Sequence, residues 1–214
     1  MKSVETPPLK LGFLASNNGA SMRAIVLAIE AGALAAEARL VVSNKREAPA
    51  LAFASTHDVP IRTIATAKDP EAADAALAAA LKDAGVELVV LSGYLRKLGP
   101  RTLAAYAGRV LNIHPGPLPR FGGQGMYGRR VHEAVAAAGV TETAVTVHVV
   151  DEEYDHGPTL IALPVPLAPG DDAATIEAKV TAAEAGVFVE VVRRICEGTL
   201  ALPKGLSRIS DNLP

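Results

Sequence analysis

The sequence has no tryptophan, four phenylalanines, four tyrosines and a single cysteine in 214 residues. One thiol, Cys196, cannot form an internal disulfide or contribute to a zinc site built from paired cysteines. In the run Val191-Val192-Arg193-Arg194-Ile195-Cys196 it reads as helix packing. No apolar run approaches the ~18 residues a membrane span requires, and residues 1–10 lack the basic and then apolar pattern of a signal peptide. No excess of either charge stands out. The net charge is -2, which leaves no electrostatic footprint for nucleic acid or an acidic membrane surface. Several motifs are missing too: the dinucleotide fingerprint G-x-G-x-x-G, the Walker sequence, the G-x-S-x-G elbow, and any helix-face histidine pair with a carboxylate. These shortages lead to the expectation of a cytoplasmic protein that works on small molecules, with no nucleic-acid partner, no membrane partner and no metal.

What is present is a repeated alternation. Short apolar runs at 9–15, 39–43, 60–64, 87–91 and 110–113 alternate with helix-spaced or alanine-rich stretches. Asp69-Pro70 opens one of these helices and Gly85 closes it. Strands alternating with helices at this spacing predict an α/β fold, a doubly wound and mostly parallel sheet. Residues 143–150 then alternate cleanly, with Val145, Val147 and Val149 on one side and Thr146, His148 and Val150 on the other. The run 160–165 follows too closely for a helical crossover, which predicts an antiparallel strand pair near the C-terminal end. A long last helix is predicted to about residue 197. No linker or composition break divides the chain, so one domain over 1–214 is expected, with 1–8 as a loose leader and 203–214 as an extended tail.

Three places carry candidate chemistry. The loop Asn17-Asn18-Gly19-Ala20-Ser21 lies between the first strand and a helix start. Free backbone N–H groups and the helix dipole there suit a phosphate, though the loop alone fits a ligand-free capped helix equally well. The strand end Leu111-Asn112-Ile113-His114-Pro115 places Asn112 and His114 on one side, two residues apart. Asp155 follows a third run, in an acidic turn whose Asp151, Glu152 and Glu153 read as solvated. Ligands in open α/β sheets sit outside the carboxyl ends of strands, so the three places can line one crevice. An amide, an imidazole and a carboxylate without an evident nucleophile suit direct acyl transfer between two bound ligands.

Leu111-Asn112-Ile113-His114-Pro115, followed by Leu118-Pro119-Arg120-Phe121 and by Val147-His148-Val149-Val150 through Asp155-His156-Gly157-Pro158, closely resembles the paired motifs of the folate-dependent formyltransferases. The resemblance covers about residues 9–200. It implies the formyltransferase fold, 10-formyltetrahydrofolate as formyl donor and the amine of 5-phosphoribosylglycinamide as acceptor, with no metal. It implies Asn112, His114 and Asp155 as the catalytic trio, with His148 behind them. It implies Asn18, Gly19, Ala20, Ser21 and Glu184 as acceptor contacts, and Leu95, Arg96, Lys97, Leu98, Val150, Tyr154 and His156 around the folate. The segment after Phe121 is richer in glycine than the family's usual one, and is expected to act as a mobile lid over the substrates. A deformylase, a transferase for another amine, and a silent folate- or nucleotide-binding protein are the alternatives, and a monomer and a homodimer are equally open.

Overall fold

The structure is a computed structural model and describes residues 7–203. All but residues 7, 8 and 203 of the expected leader and tail lie outside the described residues. In chain order the elements are β1 (Leu9–Leu14), α1 (Ala20–Glu30), β2 (Ala36–Ser43), α2 (Pro49–Thr56), β3 (Ile61–Thr63), α3 (Pro70–Asp83), β4 (Leu88–Leu91), α4 (Pro100–Ala105), β5 (Val110–His114), α5 (Arg129–Ala137), β6 (Glu142–Val149), β7 (Thr159–Pro166) and α6 (Ala173–Cys196). The strands form one seven-stranded sheet in the order β3-β2-β1-β4-β5-β6-β7. Pairing is parallel from β3 across to β5, then antiparallel for β5–β6 and β6–β7. The expected antiparallel pair is therefore one flank of a single reversed strand, β6. β7 runs again in the direction of the others.

Burial on both faces follows from alternation along the strands. Phe13, Val41, Leu88 and Val90 pack on the side of α1, α2, α5 and α6, whereas Leu14, Val42, Val89 and Leu91 pack on the side of α3 and α4. Val145, Val147 and Val149 join the first face and Val150 the second, as the alternation predicts. Each fully buried Leu, Val or Phe contributes roughly 1.5–3 kcal/mol, and this two-sided core fixes the strand ends on which the polar residues sit.

Two of the six described helices start on a local side-chain cap. The Asp69 side chain accepts the Ala72 N–H at α3, and the Asp172 side chain accepts the Thr175 N–H at α6. Helix α4 has no such local cap and no expectation in the sequence. Its first turn is held from α3 by buried Asp74, which accepts from Arg101 N–H, Thr102 N–H and the Thr102 hydroxyl at 2.8, 3.1 and 2.6 Å. A Cβ on Gly99 would come within 2.3 Å of the Asp74 carboxyl carbon, so only glycine lets the two helices meet there.

Candidate active site

The register of β5 against β6 assembles the first part of the site. Asn112 lies opposite His148, and His114 opposite Thr146. Directly opposed residues project to one face at close range, so a strand end with two polar groups meets a strand carrying two more. Asn112 Nδ2 is 3.1 Å from His148 Nε2. The His148 Nδ1–H donates to the Val149 carbonyl at 3.0 Å. The Thr146 hydroxyl donates to the Gly116 carbonyl at 2.8 Å and so ties the turn after His114 to β6.

Asp155 completes the cluster from the loop after β6. Because β6 is reversed, its last residue Val149 opposes Leu111, near the start of β5, and the loop must double back to reach His114. Two features permit this. Asp155 occupies the left-handed region at φ 55, which is uncommon for a non-glycine residue. Gly157 passes so close to β6 that a Cβ would lie 2.0 Å from the Val149 carbonyl oxygen. Asp155 Oδ2 lies 3.5 Å from His114 Nδ1, and Oδ1 lies 3.5 Å from His148 Nε2. The Gly123 N–H adds a bond to Oδ2 at 3.0 Å. One carboxylate thus has an imidazole at each oxygen.

Burial sets the charges. Only 3% of the His114 side chain and 11% of the Asp155 side chain are exposed. Burial lowers the His114 pKa below the ordinary histidine value, against the opposing pull of Asp155 and of the bond to the Phe121 carbonyl. At rest near neutral pH the ring is therefore neutral, and a positive charge there is acquired only during reaction. Burial acts to raise Asp155, but the His148 bond, the His114 charge and the Gly123 N–H outweigh it and hold the carboxyl below the usual range. This arrangement can move a proton between carboxylate and imidazole beside an amide donor.

The other expected residues fall into separate groups. Asn18 is exposed in the loop before α1, where Gly19 turns the chain at φ 66, and in the first turn of α1 Ala20 is exposed and Ser21 buried. That loop is stitched to the one after β4: Ser16 Oγ accepts the Leu95 N–H at 2.8 Å, and the Ser92 hydroxyl accepts the Met22 N–H at 3.0 Å. The stitch lies where the strand order reverses, between β1 and β4. Lys45, from the turn after β2, brings its ammonium to the Asn17 side chain at 2.7 Å; sequence reading gave that lysine no role. Glu184 is half-buried on α6, and burial, then the neighbouring Glu177 carboxylate, raise its carboxyl above the usual range.

Leu95, Arg96 and Lys97 are exposed, while the Leu98 side chain belongs to the core. Lys97 Nζ stands 5.5 Å over the Tyr154 ring, which links the two loops expected around the folate. His156 is exposed and bonded to Asp151 at 2.8 Å, and that bond raises its pKa. A cavity of about 520 Å³ opens here, lined by Leu103 and Ala104 of α4 and by Val150, Asp151, Glu152 and His156. Pockets of a few hundred Å³ with mixed lining hold small organic ligands. Sequence reading missed Leu103, Phe121, Gly123 and Thr146. The last two act only through positions that pairing and a doubled-back loop create, and the Gly99-Pro100 start of α4 was the one local signal for Leu103.

Comparison with known proteins places these features among relatives. The model of the family described as Formyl transferase matches residues 9–192. A chloroplastic phosphoribosylglycinamide formyltransferase of Vigna unguiculata is 36% identical over 190 residues, covering 88% of this chain and 61% of its own length. The chain thus spans less than two thirds of that relative. A phosphoribosylglycinamide formyltransferase of Haemophilus influenzae is 32% identical, with 95% of this chain and 92% of its own covered. Among solved structures, glycinamide ribonucleotide transformylase 1 of Symbiobacterium toebii superposes with a TM-score of 0.83 at 30% identity, covering 92% of each chain.

Proposed function

The chain belongs to the formyl transferase family, and from that premise we propose that it transfers a formyl group from 10-formyltetrahydrofolate to the amine of 5-phosphoribosylglycinamide. The observation that carries the reading is the Asp155 carboxylate held between His114 and His148, beside the Asn112 amide. The amine attacks the formyl carbon directly, with no covalent enzyme intermediate. Asn112 donates from Nδ2 to the formyl oxygen as negative charge develops there. His114, neutral at rest, takes up at Nδ1 the proton that the attacking amine releases and so places a positive charge beside that oxygen until the proton moves on. Asp155 Oδ2 supports the charged ring and, through water, passes the proton released by the amine to the departing folate nitrogen. His148 holds the other carboxylate oxygen.

The remaining contacts follow the grouping of the site. The cavity beside α4 has the size and lining for a flat heteroaromatic ring, with Leu103, Ala104, Val150 and His156 in its walls, and Leu95, Arg96, Lys97, Leu98 and Tyr154 would reach the folate from loops outside that lining. The backbone of Asn18, Gly19, Ala20 and Ser21 would take the acceptor's phosphate at the start of α1, and Glu184 a neutral polar group of the acceptor. A cytoplasmic location is part of the same reading. Formyl loss from 10-formyltetrahydrofolate, measured with phosphoribosylglycinamide, with water alone and with other amines, tests it. Loss that requires phosphoribosylglycinamide is expected. Loss without any acceptor would make the protein a deformylase, and no loss would make it a silent binder.

A further inference from the structure

The turn after β5 touches two catalytic side chains, in each case with its backbone. The Phe121 carbonyl accepts the Nε2–H of His114 at 2.8 Å, and the Gly123 N–H donates to Asp155 Oδ2 at 3.0 Å. The turn is itself anchored. Phe121 N–H donates to the Pro117 carbonyl at 3.0 Å, Gly122 N–H to that of Pro119 at 3.3 Å, and Met126 N–H to that of Gly123 at 3.0 Å. The Phe121 ring is buried, with the Arg120 guanidinium 5.0 Å from its centre. A carbonyl only accepts, so His114 carries its resting proton at Nε2. Nδ1 is then the bare nitrogen, and it is the one that faces Asp155 Oδ2 at 3.5 Å.

The middle residue of the turn has no side chain, and there is no room for one. A Cβ on Gly122 would lie 2.3 Å from Leu118 Cδ2 and 3.0 Å from the Asp155 Cβ. The leucine methyl can rotate away. Asp155 has little freedom to yield, being held at φ 55 in a loop pressed against β6 at Gly157. We propose that residues 121–123 form a backbone clamp that fixes the His114 tautomer, so that Nδ1 is the atom exchanging a proton with Asp155, and that Gly122 is a positioning residue whose missing side chain keeps Asp155 within reach of both histidines. The consequence for turnover rests on the formyl-transfer reading above, whereas the tautomer does not.

The test uses the full chain labelled with ¹⁵N-histidine, without substrates and near neutral pH. The wild-type spectrum is expected to show His114 protonated at Nε2 and bare at Nδ1, and a ring protonated at Nδ1 alone overturns the clamp. In Gly122→Ala, with its fold checked by circular dichroism, the His114 titration midpoint is expected to move downward as Asp155 is displaced. Its kcat is expected to fall by roughly tenfold or more, with KM for either substrate changed by no more than about twofold. Adding Leu118→Ala relieves the leucine contact and leaves the Asp155 contact, so neither midpoint nor kcat is expected to recover. Recovery in that double variant, or an unmoved midpoint in Gly122→Ala, overturns the positioning role. If the wild-type protein transfers no formyl group, the kinetic comparison falls with that reading, and the wild-type tautomer and the midpoints still decide the clamp. If Gly122→Ala fails to fold, the double variant with Leu118→Ala, freed of the leucine contact, is compared with Leu118→Ala alone, and an unmoved His114 midpoint there overturns the positioning role.

Discussion

His114 and Asp155 pass one proton between them, and the loss of either stops that exchange for a different reason. Without its imidazole, His114→Ala has no group to place positive charge beside the formyl oxygen. Asp155→Asn keeps the shape and loses the charge that supports the ring. Each is expected to lower kcat by roughly 10²–10³-fold while circular dichroism stays that of the folded chain. Near-normal turnover in either variant removes that residue from the mechanism. The same burial has a pH signature in stability. His114 and His132 are both held below the ordinary histidine value of about 6.5 when folded, chiefly by burial. Below that value the unfolded chain binds more protons than the folded one, so stability falls as pH drops from about 7 toward 5. Asp155 adds the carboxylate case: depressed in the folded chain, it contributes stability above the ordinary aspartate value that is lost as pH falls through its lower folded value. Thermal unfolding followed across this range checks both signs. A His132→Phe variant, which removes a buried Nδ1 with no hydrogen-bond partner, is expected to flatten the histidine part of the curve.

Among the elements, α4 depends on a partner far away in the chain. Replacing Asp74 by Ala strips two backbone N–H groups and a hydroxyl of their acceptor inside the protein. The expected loss is about 2–4 kcal/mol in urea unfolding, together with a raised KM for the folate substrate, because α4 lines the cavity. This dependence also marks where sequence reading stops. The strands and the capped helices α3 and α6 were legible, since alternation, Asp-Pro and Asp-x-x-Thr signals are local. So was the pairing of Asn112 with His114 along one strand. The α4 cap was not, because Asp74 and Thr102 meet only once α3 and α4 have packed. The reversal of β6 against β5 was half seen. The short link to β7 announces one antiparallel pair, while the connection through α5 hides the other. The sequence motif likewise named Asp155 without showing that its loop runs backward to reach His114, and the resting charge of His114 follows from burial that no local pattern reveals.

For the molecule as a whole, the candidate ligand sites lie on different parts of one sheet. The phosphate-type loop hangs from β1, the ring cavity lies between α4 and the loop after β6, and the proton-moving groups sit on β5 and β6. Ligands held at these places favour the folded chain by mass action. At a hundred times its Kd, tetrahydrofolate is expected to add about 2.7 kcal/mol of stability, and Asp74→Ala is expected to diminish that gain. Calorimetry with and without the ligand measures it, and an equal gain in Asp74→Ala would take α4 out of folate binding. The sheet edges are blunted, β3 by being three residues long and β7 by Pro164 and Pro166.

The reversed strand β6 makes the chemistry compact in the chain. Asn112, His114, His148 and Asp155 fall within one continuous segment, whose strands pair with each other and, together with β7, join the parallel part of the sheet only through β4. Such a segment can open as a cooperative unit of its own. Native-state hydrogen exchange is therefore expected to show the amides of β5 and β6 exchanging together, at a lower free energy than those of β1 and β4. The protein would then have two tiers of order, an enduring parallel half that keeps the fold and an antiparallel half whose brief openings take the catalytic groups apart and reassemble them while the rest stays closed.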